Sequence, residues 1–304
     1  MANTYSSSLV TDIATQASIT VLQPKLSALK AFSSDFTSDT VSGAGLRKLQ
    51  VAVVANAASA VTNPTSFTSN GDSISAAGVT MNHISAQFGL TSAQLNQGFR
   101  LEKVLKANLA ALGNAIMDVA FAPMTTTNYG TAAYNTAIAT ATGGVLGNDL
   151  ITKGLPALFA AIANGSERNL VLDGQYFSYL LPQSGFSLPV TGGPAYGFDN
   201  VYLNTRFNAI TGGSDSLLNG TTKTCHGFAA SPEALAVASS LPYVDQAVAG
   251  LLQQQETIQI EGLDGLAIQM SIWGDLATRG LYGSFDVIFG AAKADGSALK
   301  FITA

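Results

Sequence analysis

Charge is what this chain of 304 residues most lacks: only 11% of it is Asp, Glu, Lys or Arg, against about a quarter in an ordinary soluble domain. The 14 basic and 19 acidic residues leave a net charge of −5, and no stretch is rich in Lys or Arg. That argues against specific nucleic-acid recognition, which needs a basic footprint. A single cysteine, Cys225, excludes an internal disulfide framework. Two histidines, His83 and His226, give little to a metal centre, and no spacing resembles a zinc site. No uninterrupted apolar run reaches about 18 residues, so no segment reads as a membrane-spanning helix. The opening residues, MANTYSSSLVTDIAT, lack the basic and apolar regions of a secretory signal. Synthesis inside the cell is the simplest expectation.

What the chain has in plenty is apolar and small polar residues. Apolar residues make up 47%, enough for a sizeable core in one large or two ordinary domains. The exterior is then mostly Ser, Thr, Asn, Gln, Ala and Gly. Such a surface is cheap to desolvate and favours assembly; an uncharged adhesive coat is the alternative.

The strongest periodic signal is TSAQLNQGFRLEKVLKANLAALGNAIMDVAFAP, residues 91–123. Leu101, Leu105, Leu109, Leu112, Ile116 and Val119 recur at helical spacing, while Arg100, Glu102, Lys103 and Lys106 fall off the stripe. Thr91 and Gln94 fit a capping box, and Pro123 ends the run. The spacing predicts a helix near 45 Å long at about 1.5 Å per residue. Its stripe is expected to rest on this chain's own strands near Leu266–Ile272, Phe285–Phe289 and the terminal run.

Elsewhere the periods change. Residues 8–32 predict two short helices separated at Pro24. Residues 47–90 alternate, with a polar tip from Asn63 to Ser75, and read as a long projecting β-hairpin with two arms of about ten residues. Such a hairpin is marginal alone and should lie on something. A short helix is expected near Ala132–Ala139, and a second amphipathic helix from Ile151 to Ile162, with Gly165 past its end. Asn169–Leu172 reads as a buried strand, followed by a helical turn capped by Asp173. Residues 182–197 read as loop, Val201 to Leu203 and on toward Phe207 as strand. In TKTCHGFAASPEALAVASSLP a strand through Gly227–Ala230 should lead into a helix capped by Ser231, with Pro232 first, running to Ser239. The tail, residues 256–304, is strand-rich, with strict alternation at Leu266, Ile268, Met270 and Ile272.

No constellation carries chemistry. Cys225 and His226 are sequence neighbours, so a strand points them to opposite faces, whereas a nucleophile and its base must touch. Neither histidine has a partner at catalytic or metal-ligand spacing. No phosphate-binding glycine motif follows a strand. Trp273, the one tryptophan, is expected in a core or interface. The expectation is a protein with no catalytic residues, no metal and no cofactor.

The order of elements resembles the tailed-bacteriophage major capsid proteins of the Hong Kong 97-type fold, which encapsulin shells share. LVTDIATQASITVLQPKLSALKAFSSDFTSD (residues 8–39) resembles the arm and its helix, Arg47 to Leu90 the extended loop, and residues 91–123 the spine helix. RNLVLDGQYFSYLL (168–181), GFAASPEALAVA (227–238) and LAIQMSIWGDLATRGLYGSFDVIFGAAK (266–293) resemble the axial domain and the peripheral strands. The resemblance covers nearly the whole chain. It implies an α+β fold divided into an N-terminal arm (1–46), an extended loop (47–90), a spine helix (91–123), a mainly axial domain (124–255) and returning peripheral strands (256–304). It implies a structural role: hexamers and pentamers forming an icosahedral shell around double-stranded DNA, in a virion assembled in a host cytoplasm. Partners would be further copies of the chain, portal, scaffolding or decoration proteins, and packaged DNA through non-specific contact, without a membrane. Arg47, Lys48, Asn63, Asn70, Asp72, Arg100, Glu102 and Lys106 are the expected intersubunit residues. No long charged helical segment precedes the arm, so a scaffold would be separate, absent or already removed. The hairpin has Lys48 only at its base, so a loop-lysine crosslink is not expected. An encapsulin-like compartment is the nearest alternative, and a surface-layer or fibre-like adhesin a more distant one.

Overall fold

The structure is a computed structural model, and it describes residues 7–33, 36–37, 48–54, 74–91, 99–130, 132–135, 150–162, 167–180, 193–204, 206, 225–244, 249–260, 263, 265–275, 277 and 280–303. The sequence begins with α1 (Ser7–Leu26), which continues through Pro24 and tightens into a 3-10 turn at Ser27–Ala31. The expected gap at Pro24 is therefore absent. A proline two residues from a helix end forfeits one hydrogen bond only, and the chain tightens directly after it.

β1 (Phe36–Thr37), β2 (Lys48–Val54), β3 (Ile74–Thr80) and β4 (Asn82–Thr91) follow. β2 and β3 pair antiparallel from Lys48↔Thr80 to Val54↔Ile74, seven residues in each arm among the described residues. The other half of the expected return arm is β4, which leaves the hairpin for another sheet. Its Ala86, Phe88 and Leu90 are buried, and an apolar face of that kind needs a core that a two-stranded ribbon cannot supply.

α2 (Phe99–Phe121) is the central helix, about 35 Å long over 23 residues. Thr91 does not cap it: Thr91 ends β4, paired with Gly280, and Gln94 lies outside the described residues. Leu101, Leu105, Leu109, Leu112 and Ile116 are all buried, and Val119 is half-buried. By length and composition Leu101–Phe121 would suit a membrane, but this stripe is taken up by α1, β4 and the long strand of the first sheet.

The chain continues with a short helical turn, α3 (Thr126–Tyr129), then β5 (Tyr134–Asn135), where a helix was expected. β5 is held by parallel pairing to the terminal strand, Ile302 to Tyr134, a contact from 168 residues away that outweighs local alanine propensity. A π-turn at Leu150–Gly154 leads into α4 (Leu155–Ala161); Gly165 lies outside the described residues. β6 (Asn169–Leu172) and α5 (Gly174–Tyr179) match expectation, with the Tyr176 N–H donating to Asp173 Oδ1 at 2.7 Å. β7 (Gly193–Ala195) and β8 (Phe198–Leu203) form a hairpin where loop was expected at 193–195.

β9 (Cys225–Ala230) is followed by β10 (Leu235–Ser240), not by a helix. Ser231-Pro232-Glu233-Ala234 is a turn closed by Ala234 N–H to Ser231 O at 3.0 Å. Pro at the second position serves a β-turn as well as a helix start. Pairing to β1 and to the long strand decides for extended chain. β11 (Gln254–Gln259), β12 (Ala267–Asp275), β13 (Gly280–Lys293) and β14 (Leu299–Thr303) complete the chain.

Two sheets result. In the first, the 14-residue β13 is the axis: β4 pairs along one edge, and β12 and β10 lie end to end on the other. β11 and β1 flank them. The inward side chains Ile268, Met270, Ile272, Phe285, Val287 and Phe289 are buried with the stripe of α2. The second sheet has the order β5-β14-β9-β6-β8-β7. Its central strands β14, β9 and β6 are covered on both faces. Val171, Phe228 and Phe301 join the core of α2, while Leu170, Leu172, Ala229 and Ile302 join Leu155, Leu158, Tyr176 and Leu180, as alternation along a strand requires. The terminal strand β14 is in the second sheet, although its Leu299 and Phe301 share the core of α2, and β10, from earlier in the chain, is in the first.

Candidate assembly surfaces

The hairpin is a direct extension of the first sheet. β3 and β4 are interrupted only at Met81, so the strand that pairs with β13 runs on into the hairpin. At the junction Val79 and Met81 are buried with Ala236 and Ala238 in a small core of their own, flanked by Ile288 and Ala292. β13 passes close beneath: a Cβ on Gly290 would sit 2.3 Å from Thr80 O. Only glycine permits that approach. The base of the hairpin is therefore packed on β10 and β13 rather than joined through a free hinge.

Of the expected intersubunit residues, Arg47, Asn63, Asn70 and Asp72 lie outside the described residues. Lys48 opens β2, in register with Thr80, and Arg100 is the second residue of α2. Glu102 and Lys106 are brought together, Nζ to Oε1 at 2.5 Å, on the exposed flank of α2. Such an i,i+4 pair contributes a few tenths of a kcal/mol, about 0.3–0.5. Its value to the subunit is small, which leaves it available to a neighbour.

Three internal contacts that short-range spacing does not reveal tie the two sheets to the helices. Phe32, Phe121 and Phe228 form a triangle with ring centroids 5.8, 5.6 and 6.1 Å apart, joining the 3-10 turn, the end of α2 and β9. Arg206, just past β8, grips Asp118 of α2 in a two-pronged hydrogen bond, which raises the guanidinium pKa further. His226 Nδ1 lies 2.8 Å from Asp173 Oδ2 in a buried pair, and its ring stacks on Tyr176 at 4.5 Å. His226 thus has a partner, Asp173, 53 positions away and outside any catalytic or metal-ligand spacing.

None of this is a catalytic arrangement. Cys225 is buried, and burial pushes its thiol up to about 12; it donates to Gly227 O at 3.4 Å. Ser284 donates to Asp286, which also holds His83 at 3.1 Å. The carboxylate stands between serine and imidazole, so the imidazole does not activate the hydroxyl. Among the described residues no three His, Cys, Asp or Glu side chains are grouped to hold a metal.

No protein-family model matches the chain, and no curated protein does. Solved structures do. The virus-like particle from Pyrococcus furiosus is similar over 96% of this chain and 97% of its own, with TM-score 0.54 at 8% identity. The mature capsid of bacteriophage PhiM1 is similar over 90% of this chain and 85% of its own, with TM-score 0.52 at 11% identity. Mycobacterium phage Ogopogo is similar over 91% of each chain, with TM-score 0.51 at 11% identity. At such identities the likeness is one of fold, and it extends almost end to end: this α+β chain has the Hong Kong 97-type fold of tailed-phage capsid proteins.

Proposed function

We propose that the chain is a major capsid protein whose copies assemble as hexamers and pentamers into an icosahedral shell around double-stranded DNA. The observation that carries the reading is the hairpin built as a rigid outgrowth of the first sheet, in a chain that shares its fold with capsids over 90% or more of its length. A two-stranded ribbon without a core of its own is stable when it lies on a neighbour. In this reading the first sheet with α1 and α2 is the peripheral domain, and the second sheet with α4 and α5 is the axial domain. Arg47, Lys48, Asn63, Asn70, Asp72, Arg100, Glu102 and Lys106 lie at contacts between subunits. Low charge suits a container that confines a genome without gripping it. The protein acts through surface complementarity, with no catalytic step, and works in the virion after assembly in a host cytoplasm. Portal, scaffolding and decoration proteins would be its further partners.

A second reading, a compartment of the same fold with another cargo, is supported by the likeness to a virus-like particle from Pyrococcus furiosus. The content of native particles separates the two. Nuclease-resistant duplex DNA supports the genome container, and protein cargo without DNA supports the compartment. A chain that never forms particles contradicts both.

A further inference from the structure

The outward face of the first sheet carries a groove of about 750 Å³ that the shell reading does not use. Its bed is neutral and hydrogen-bonding, with Gln269 and Ser271 on β12 and Ser284 on β13, all on the face opposite the core. Trp273 and its cross-strand partner Tyr282 stand beside them, rings nearly parallel at 19° and 6.3 Å apart. Tyr282 lies over Gly89, where a Cβ would come within 2.8 Å of its ring. Tyr243 and Leu251 form the rim, 88% and 76% exposed.

Three features narrow what fits. No Lys or Arg lines the groove among the described residues, so phosphates, nucleic acid and acidic sugars find no counter-charge. Both carboxylates already accept hydrogen bonds within the subunit, Asp286 from Ser284 and beside His83, and Asp275 from the Ala277 N–H, and they stand beside the neutral bed of Gln269 and Ser271. Gln269 is only 5% exposed and its Oε1 is closed off from the groove, but Ser271, Ser284 and His83 line it beside the aromatic rings, so a wholly apolar occupant would be a poor match.

We propose that this groove binds a neutral saccharide. A sugar ring offers an apolar C–H face to lie on Trp273, Tyr282 or Tyr243, and hydroxyls to meet the Gln269 amide, Ser271 and His83. Aromatic walls with a few convergent polar groups are the usual make-up of a small-ligand site, and a site of this size holds on the order of two or three sugar rings. The proposal concerns the subunit's own surface and does not depend on whether the shell holds DNA.

Trp273 is the chain's one tryptophan, so its emission reports on this groove alone. The full chain is titrated with maltohexaose, cellohexaose, mannohexaose and a galactan oligosaccharide, with a heparin fragment and oligolysine as charged controls. At least one neutral sugar should shift Trp273 emission saturably, and Tyr243→Ala should weaken that binding by about tenfold, as loss of an aromatic anchor does. Tyr243 is so exposed that the variant folds as the parent does. The proposal is overturned if no neutral sugar shifts the emission, if Tyr243→Ala changes nothing, or if a charged control binds in preference. It is also overturned if assembled particles shield Trp273 from iodide without sugar, because a second copy would then fill the groove.

Discussion

Arg206 and Asp118 meet side-on, Nε to Oδ1 at 2.7 Å and Nη2 to Oδ2 at 2.5 Å, and so fasten the segment after β8 to the last turns of α2. The pair bridges the second sheet to the helix of the first. It is partly exposed, 29% and 37%, so solvent screening limits its strength despite good geometry. A double-mutant cycle with Arg206→Ala and Asp118→Ala, read by urea unfolding, should give a coupling of about 0.5–1 kcal/mol that shrinks in high salt. Zero coupling would mean that the brace is incidental.

The buried pair of Asp173 and His226 should matter more. Asp173 does two tasks: one oxygen caps α5 and the other holds His226. Asp173→Asn keeps a capping oxygen but removes the charge. Asp173→Ala removes both, and should cost about 3–5 kcal/mol, because it strands a buried imidazole as well as a helix end. Thermal and urea unfolding should rank the parent above Asp173→Asn and Asp173→Asn above Asp173→Ala. If both variants match the parent, His226 is not held by this carboxylate.

The stripe of α2 gives the sharpest stability contrast. Leu109 and Leu112 are buried against the first sheet and α1. Leu109→Ala or Leu112→Ala should lower subunit stability by about 2–5 kcal/mol through lost burial and a cavity. Glu102→Ala and Lys106→Ala should cost less than about 0.5 kcal/mol in the free subunit. Any larger effect of these two should surface in particle yield. Equal unfolding midpoints for all four variants would mean that the stripe is not a core face.

Much of this architecture is legible in the sequence, and the failures share one cause. The stripe of α2, the buried β6, the Asp173 cap and the alternation of β12 are set by residues within a turn or two of each other, and each is found where its local pattern puts it. β10 and β5 fold as strands against the local helical expectation because Ala-rich segments accept either helix or strand, and distant partners, β13 and β14, make the choice. The return arm of the hairpin was read as one strand, and it nearly is. What the pattern could not tell is that its second half pairs with a strand 200 residues later. The candidate surface residues were the least legible part, since a surface contact leaves no periodicity. Trp273, expected in a core or interface, is half-buried in a groove wall on the sheet's outer face.

Gly290 tests how the hairpin is aimed. A methyl group there would collide with Thr80 O, pushing the hairpin off β13 at a cost of about 1–3 kcal/mol. Gly290→Ala should give folded subunits, by circular dichroism, that assemble poorly. Normal particles from this variant would mean that the junction need not be rigid.

Cys225 supplies a pH test. Its thiol titrates near 9 when free of the fold and is pushed to about 12 by burial. The neutral form is favoured in the folded chain, so this contribution to stability is fully present below pH 9 and is lost as pH rises toward about 12. Native protein should resist alkylation at pH 8 and react fully once unfolded in urea. Rapid labelling of folded subunits at that pH would place the thiol at the surface.

The central claim, that copies of this chain close into a shell, is tested most directly by electron microscopy of the purified chain expressed alone or with its own scaffold, across a concentration series. The account predicts rings of six and five and closed particles of uniform diameter, lost when the hairpin tip, residues 65–75, is deleted from an otherwise folded subunit. Monomers at every concentration, or open fibres, would contradict it.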